Sequence, residues 1–250
     1  MPRLLIVKTG DSFADVARDH GDFETLFRRA LATAPADTQV AVLDAPRAEA
    51  LPALDDIDGL LITGSHAMVS HAEPWSEALK PWLVEARARD ITMLGVCYGH
   101  QLMAAAFGGT SDFHPAGRES GTREVTLTEA GRRDPLLGGL PARFHAHLSH
   151  AQTVLATPPG ACVLAANAHD PHQALRHGSR QWSVQFHPEF TPAVMRAYLA
   201  HQRQALQDQG ETPERLIDEV TETPEATGLL TRFALLAARA REATPRPEAG

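Results

Sequence analysis

The sequence predicts an α/β fold: an open, mostly parallel sheet with helices on both faces, plus a short antiparallel ribbon and a helical C-terminal extension. Three observations lead there. Short apolar runs alternate with helical patterns as far as Val96, the mark of βα units whose parallel strands are buried on both faces. From Thr110 to about Phe186, strand-like segments follow one another without helices between them. At the junction of these regions Gly95-Val96-Cys97-Tyr98-Gly99 joins an apolar run to a helical pattern, a strand-to-helix turn of the kind that presents a side chain at a sheet's carboxyl edge.

Leu4 to Val7 is the first strand, because its apolar run is too short for a signal segment and charge follows at once. Val40 to Leu43, Leu60 to Ile62 and Met93 to Val96 are the next strands, and Phe23 to Leu31 and Trp75 to Arg89 are helices between them. In the second helix Trp75, Leu79, Trp82, Leu83 and Ala86 recur near helical spacing, which is a core stripe and not an aromatic binding box. His100 to Phe107 forms the helix after the junction. Glu124 to Thr128, Arg143 to Leu148, Cys162 to Ala166 and Trp182 to Phe186 continue the sheet and supply the ribbon. Val194 to Ala205 and Leu229 to Arg241 are helical, the latter with Leu229, Leu230, Phe233, Leu236 and Ala237 on one face. Beyond Thr244, Pro245 and Pro247 predict a frayed tail. No fixed-period repeat or low-complexity linker interrupts the chain.

The composition sets bounds on function. At 250 residues and 43% hydrophobic content the chain can bury a sizeable core without staples. Its two cysteines, Cys97 and Cys162, lie far apart, unlike a disulfide framework, and a reducing, cytoplasmic location is expected. No run approaches the ~18 apolar residues of a transmembrane helix. A net charge of −8 without a dense Lys/Arg cluster argues against nucleic acid and in favour of small substrates or protein partners.

The flanking glycines of Cys97 allow strained backbone and close strand–helix approach. There the amino end of a helix favours the thiolate, the nucleophilic form. Alone, Cys97 fits a small apolar core residue equally well. A nucleophile needs a base and an orienting group, and the strand Trp182 to Phe186 runs directly into His187-Pro188-Glu189. On extended backbone residues two apart share a side, so Glu189 can orient His187 while the other ring nitrogen faces Cys97. The order Cys, His, Glu excludes an α/β-hydrolase, whose acid lies between nucleophile and histidine. His145, His147, His150, His169 and His172 match no compact metal-ligand spacing.

Gly95-Val96-Cys97-Tyr98-Gly99-His100-Gln101 together with Gln185-Phe186-His187-Pro188-Glu189 closely resembles the class I glutamine amidotransferases, the Cys-His-Glu glutaminases. The resemblance covers roughly Arg3 to Tyr198 and includes Leu60-Leu61-Ile62 followed by Thr63-Gly64-Ser65, where the family places an oxyanion loop. It implies a flavodoxin-like fold, with residues 1–209 as the glutaminase domain and 210–250 as the helical extension. It further implies that Cys97 attacks a glutamine side-chain carboxamide, that His187 is base and acid and Glu189 its orienter, and that ammonia leaves a γ-glutamyl thioester for water. The backbone amides of Gly64 and Tyr98 would face the oxyanion, Gln101 would bind glutamine's backbone groups, and Ser149 and His150 occupy a segment that offers further contacts. No cofactor or metal is implied.

The pattern around Gly117-Arg118-Glu119-Ser120-Gly121 is similar to stand-alone members resembling the glutaminase domain of GMP synthase. The chain has no Ser-Gly-Gly-type pyrophosphate loop and no Gly-x-x-x-x-Gly-Lys-Ser/Thr loop, so an ammonia acceptor site is expected on a separate synthetase subunit or not at all. Two alternatives stand beside a free-standing glutaminase. One is a γ-glutamyl peptide or conjugate hydrolase with the same triad. The other is a regulatory subunit, silent until a partner docks on the helical extension. A cysteine peptidase-like relative would place histidine directly after the cysteine, where this chain has Tyr98.

Overall fold

The computed structural model describes residues 2–33, 38–48 and 50–243; the tail predicted to fray lies outside the described residues. The first half delivers the expected alternation. In chain order it comprises β1 (Arg3–Lys8), α1 (Ala14–His20), α2 (Phe23–Ala30), β2 (Gln39–Asp44), β3 (Gly59–Ile62), α3 (Pro74–Ala88), β4 (Thr92–Val96) and α4 (Tyr98–Ala106). The second half begins with β5 (Thr110–Phe113), β6 (Glu119–Leu127), α5 (Glu129–Arg132), β7 (Arg143–His150) and β8 (Gln152–Ala156). It continues through β9 (Cys162–Ala166), β10 (Ala174–Arg176) and β11 (Gln181–Val184) to α6 (Pro192–His201), α7 (Arg203–Asp208), α8 (Pro213–Asp218) and α9 (Pro224–Ala243).

Among the described residues nine strands form one sheet in the order β2-β1-β3-β4-β11-β10-β9-β6-β7, and β5 and β8 form a separate antiparallel ribbon. β2, β1, β3, β4 and β11 run parallel, and the sheet turns antiparallel from β10 outward. Alternation along β1 divides its side chains. Leu4 and Ile6 join Leu61, Leu94, Phe27, Leu230 and Phe233 in one core, whereas Leu5 and Val7 join Leu60, Ile62, Leu79 and Leu83 in another. Strands β3 and β4 are buried at every residue because both faces are covered. The helical extension belongs to this packing: a Cβ on Gly59 of β3 would come 3.1 Å from Ala237 and 3.6 Å from the Phe233 ring of α9.

Several elements depart from the sequence pattern. The helix expected over Val194 to Ala205 is broken at Gln202 into α6 and α7. The helical extension is likewise divided, into α8 and α9. Helix α1 and strands β5, β8 and β10 have no counterpart in the predicted elements. Each is short, and α1 buries Val16 alone while β5 buries none of its residues, so neither carries an apolar periodicity to detect. The strand expected to run to Phe186 stops at Val184, where the Gln185 amide turns to donate to Gln173.

Candidate active site

Cys97 stands alone between β4 and α4 at φ 52° and ψ −100°, backbone that a non-glycine residue adopts only under constraint. The constraint is visible. The Cys97 amide donates to the Val184 carbonyl at 2.9 Å, and the Gly99 amide donates to the Thr63 carbonyl at 3.1 Å, tying the turn to its neighbours on both sides. A Cβ on Gly95 would lie 2.5 Å from the Gly99 oxygen, and one on Gly99 would lie 2.6 Å from the Ile62 oxygen. Both glycines are therefore required by close approach. The Cys97 side chain is only 6% exposed, with Sγ 3.9 Å from the Ser149 carbonyl oxygen.

His187 and Glu189 arrive from the neighbouring strand. Because β11 ends at Val184, their pairing comes from a tight turn, in which the Phe190 amide donates back to the His187 carbonyl, and not from extended alternation. Nδ1 of His187 donates to Oε1 of Glu189 at 2.7 Å, both side chains being buried. The imidazole stacks on Phe190 with 4.2 Å between centroids, and its own amide donates to the His147 carbonyl at 2.8 Å. Burial works against a charged His187, but the Glu189 carboxylate and then the charge of and hydrogen bond to Cys97 outweigh it, and its pKa is pushed up to about 10.

Gly64 follows β3 and lies between the two groups. A Cβ there would come 3.0 Å from His187 Cε1 and 3.7 Å from Cys97 Cβ. The hydroxyls of Thr9 and Thr63 each donate to the Gly64 carbonyl at 2.9 Å and fix this peptide. Neither the Gly64 amide nor that of Tyr98, first residue of α4, donates to an acceptor among the described residues. The Tyr98 side chain is not part of the chemistry: its hydroxyl donates to Ser76 at 2.6 Å, and burial pushes its pKa up to about 12.

A cavity of about 210 Å³ opens above Cys97 and His187 and includes Gln101, Ser149 and His150. The Gln101 amide nitrogen is already committed to the Gln152 carbonyl (2.6 Å) and to Gln185 Oε1 (3.0 Å), which leaves its oxygen as the group free to meet a ligand. Ser149 exchanges hydrogen bonds with Gln202, the shorter at 3.2 Å. His150 is buried with both ring nitrogens engaged, Nδ1 by the Gln152 carbonyl (2.9 Å) and Nε2 by Glu119 (3.0 Å). It braces the wall of the cavity. Phe13, Ser65, His66, Met68, Arg118, Tyr198 and Gln202 also line the cavity. Phe13 is stacked between His66 and His201, at 3.9 and 3.7 Å. None of these seven is given a role by a motif; only Ser65 and Arg118 fall in segments that the sequence pattern singles out.

Among the described residues no three His, Cys, Asp or Glu side chains are grouped to hold a metal ion, and no helix is long and apolar enough to cross a membrane. The histidines are spread over unrelated partners: Thr122 for His147, Gly117 for His169 and Val154 for His172.

The model of the family described as glutamine amidotransferase class-I matches residues 16–204. Over 131 residues the chain is 37% identical to the glutamine-hydrolyzing GMP synthase of Thermomicrobium roseum, a match covering 52% of this chain and 23% of that protein. It is 32% identical over 177 residues to one subunit of the glutamine-hydrolyzing GMP synthase of Halobacterium salinarum, covering 70% of this chain and 87% of that relative. The chain thus spans less than two thirds of the first relative and most of the second. A glutamine amidotransferase structure from Thermotoga maritima superposes with a TM-score of 0.74 at 19% identity, over 94% of this chain and 97% of that one, a likeness of fold.

Proposed function

The chain belongs to the class I glutamine amidotransferase family, and from that premise we propose that it hydrolyses the γ-carboxamide of glutamine through Cys97, His187 and Glu189. The observation that carries the proposal is the convergence of Cys97, the hydrogen-bonded His187–Glu189 pair and the Gly64 peptide at the carboxyl ends of three adjacent parallel strands, β4, β11 and β3.

The Cys97 sulfur attacks the amide carbon, and the negative charge that develops on oxygen is met by the Gly64 and Tyr98 amides. Such pre-aligned donors are worth about 3–4 kcal/mol each in the transition state. His187 gives its proton to the departing nitrogen, which leaves as ammonia, and the acyl group remains on sulfur as a γ-glutamyl thioester. Neutral His187 then takes a proton from water as its oxygen attacks the thioester. Glutamate leaves, and the sulfur and imidazole return to their starting forms. Glu189 holds the imidazole with Nε2 towards the sulfur throughout. Gln101, Ser149 and His150 border the substrate's amino-acid end, Gln101 through its free oxygen.

The catalytic unit is residues 1–209, and the described part of the 210–250 extension, through α8 and α9, completes its packing. Where the ammonia is used, we assign the acceptor to a separate synthetase chain.

Release of ammonia and glutamate from glutamine and from γ-glutamyl peptides tests the proposal. Cys97→Ala and His187→Ala should each lower turnover by roughly 10⁴-fold or more, as removal of a nucleophile or its base does elsewhere, with the melting behaviour of Cys97→Ala retained. Equal turnover with and without Cys97 overturns the assignment. Preferred cleavage of the peptides over glutamine moves the substrate to γ-glutamyl conjugates.

A further inference from the structure

Arg118 is the charged group of the catalytic cavity that the hydrolytic steps leave unused. It is half-buried, lines the cavity together with Cys97 and Gln101, and immediately precedes β6. Among the described residues no carboxylate pairs with it. Its polar contact is a long one, 3.5 Å to Gln202 Oε1. Nearby arginines are provided for: Arg123 faces Glu211, and Arg196 donates to the Val220 carbonyl at 2.8 Å. A guanidinium drawn partly out of water with no carboxylate partner is costly until a ligand supplies one.

The chain holds Arg118 in place through its neighbour. Glu119 is buried and fastened by Asn167 (2.6 Å), Gln173 (2.8 Å) and His150 (3.0 Å). With Glu119 turned into the sheet, extended backbone directs the preceding side chain to the opposite side, towards the cavity. At about 210 Å³ the cavity falls below the ~300–1,000 Å³ of sites for drug-sized ligands and suits an amino acid. Arg118 also borders a second cavity of about 350 Å³, so it stands at the boundary between the two.

We propose that Arg118 anchors the α-carboxylate of the γ-glutamyl substrate and makes the site selective for γ-amides of amino acids over simple amides. The planar fork of a guanidinium matches a carboxylate through two parallel hydrogen bonds. The inference rests on the Cys97 reading above, and the test separates the two.

In the Cys97→Ala background, which binds without turnover, calorimetry compares glutamine with 4-aminobutyramide, the same amide and amine without the carboxylate. Glutamine should bind at least roughly 10-fold tighter, the effect of one charge-assisted contact. Adding Arg118→Gln should bring the two ligands to within about 2-fold of each other, and Arg118→Lys, which keeps the charge but not the fork, should fall between. In the active enzyme Arg118→Gln should raise KM for glutamine by roughly 10- to 100-fold with little change in kcat. The proposal is overturned if Cys97→Ala binds no glutamine, if it binds both ligands alike, or if Arg118→Gln weakens both equally, which a merely structural role would do. Cys97-independent turnover, in contrast, strikes the functional reading whatever Arg118 does.

Discussion

Cys97 has a left-handed φ of 52° because its neighbours leave no alternative. With a Cβ on Gly99 only 2.6 Å from the Ile62 oxygen, Gly99→Ala has to separate α4 from β3. We expect a loss of about 1–3 kcal/mol in urea-unfolding stability, typical of overpacking, and slower alkylation of Cys97 by iodoacetamide. His187 gives a pH signature. Its folded pKa, about 10, lies above the ordinary 6.5, so the native state keeps a proton that the unfolded chain has lost. The stabilisation is complete below about pH 6.5 and disappears as pH rises through about 10. Glu189→Gln should flatten the decline in stability between about pH 7 and about pH 10; an unchanged slope would show that Glu189 does not hold the proton on His187. At this scale Cys97, His187 and Glu189 were legible because each sits in a short motif. The geometry that pairs His187 with Glu189 was not, since a turn and not an extended strand joins them.

Elements with an apolar period were equally legible. Strands β1 to β4 and helices α2 and α3 lie within a residue or two of their predicted bounds. Helix α1 and the ribbon β5–β8 were not, because α1 and β5 bury one residue between them, β8 buries two polar residues beside Val154, and their form is set by what they pack against. The predicted apolar face of α9 is realised: Leu229, Leu230, Phe233 and Ala237 are fully buried and Leu236 packs against the same core. Phe233→Ala should therefore cost about 3–5 kcal/mol in a single cooperative unfolding transition, the range for a deleted core aromatic. A separate low-temperature transition of α8 and α9 would show that the extension folds by itself.

Across the whole molecule, acid should be more damaging than the carboxylates alone would make it. His100 and His177 share the Ser183 hydroxyl at 2.7 Å each, and burial holds both near pKa 3; burial likewise holds His147 near 4. These imidazoles stay neutral in the fold while the unfolded chain protonates them. Their contribution is complete above about pH 6.5 and is lost as pH falls, at up to roughly 1.4 kcal/mol per pH unit for each. Unfolding between about pH 7 and about pH 5 should show this slope, and His177→Gln should make it shallower.

The sequence by itself determined the sheet's alternation and the three motif-bound residues, because apolar periodicity and the steric demands around a strand-to-helix turn are local and leave their mark within a few residues. Only the tertiary structure decided the walls of the cavity. Arg118, Phe13, His66 and Gln202 come together there from the start of β6, the start of α1, the loop after β3 and the break between α6 and α7. Their meeting depends on the order and twist of strands far apart in the chain, which no local pattern encodes.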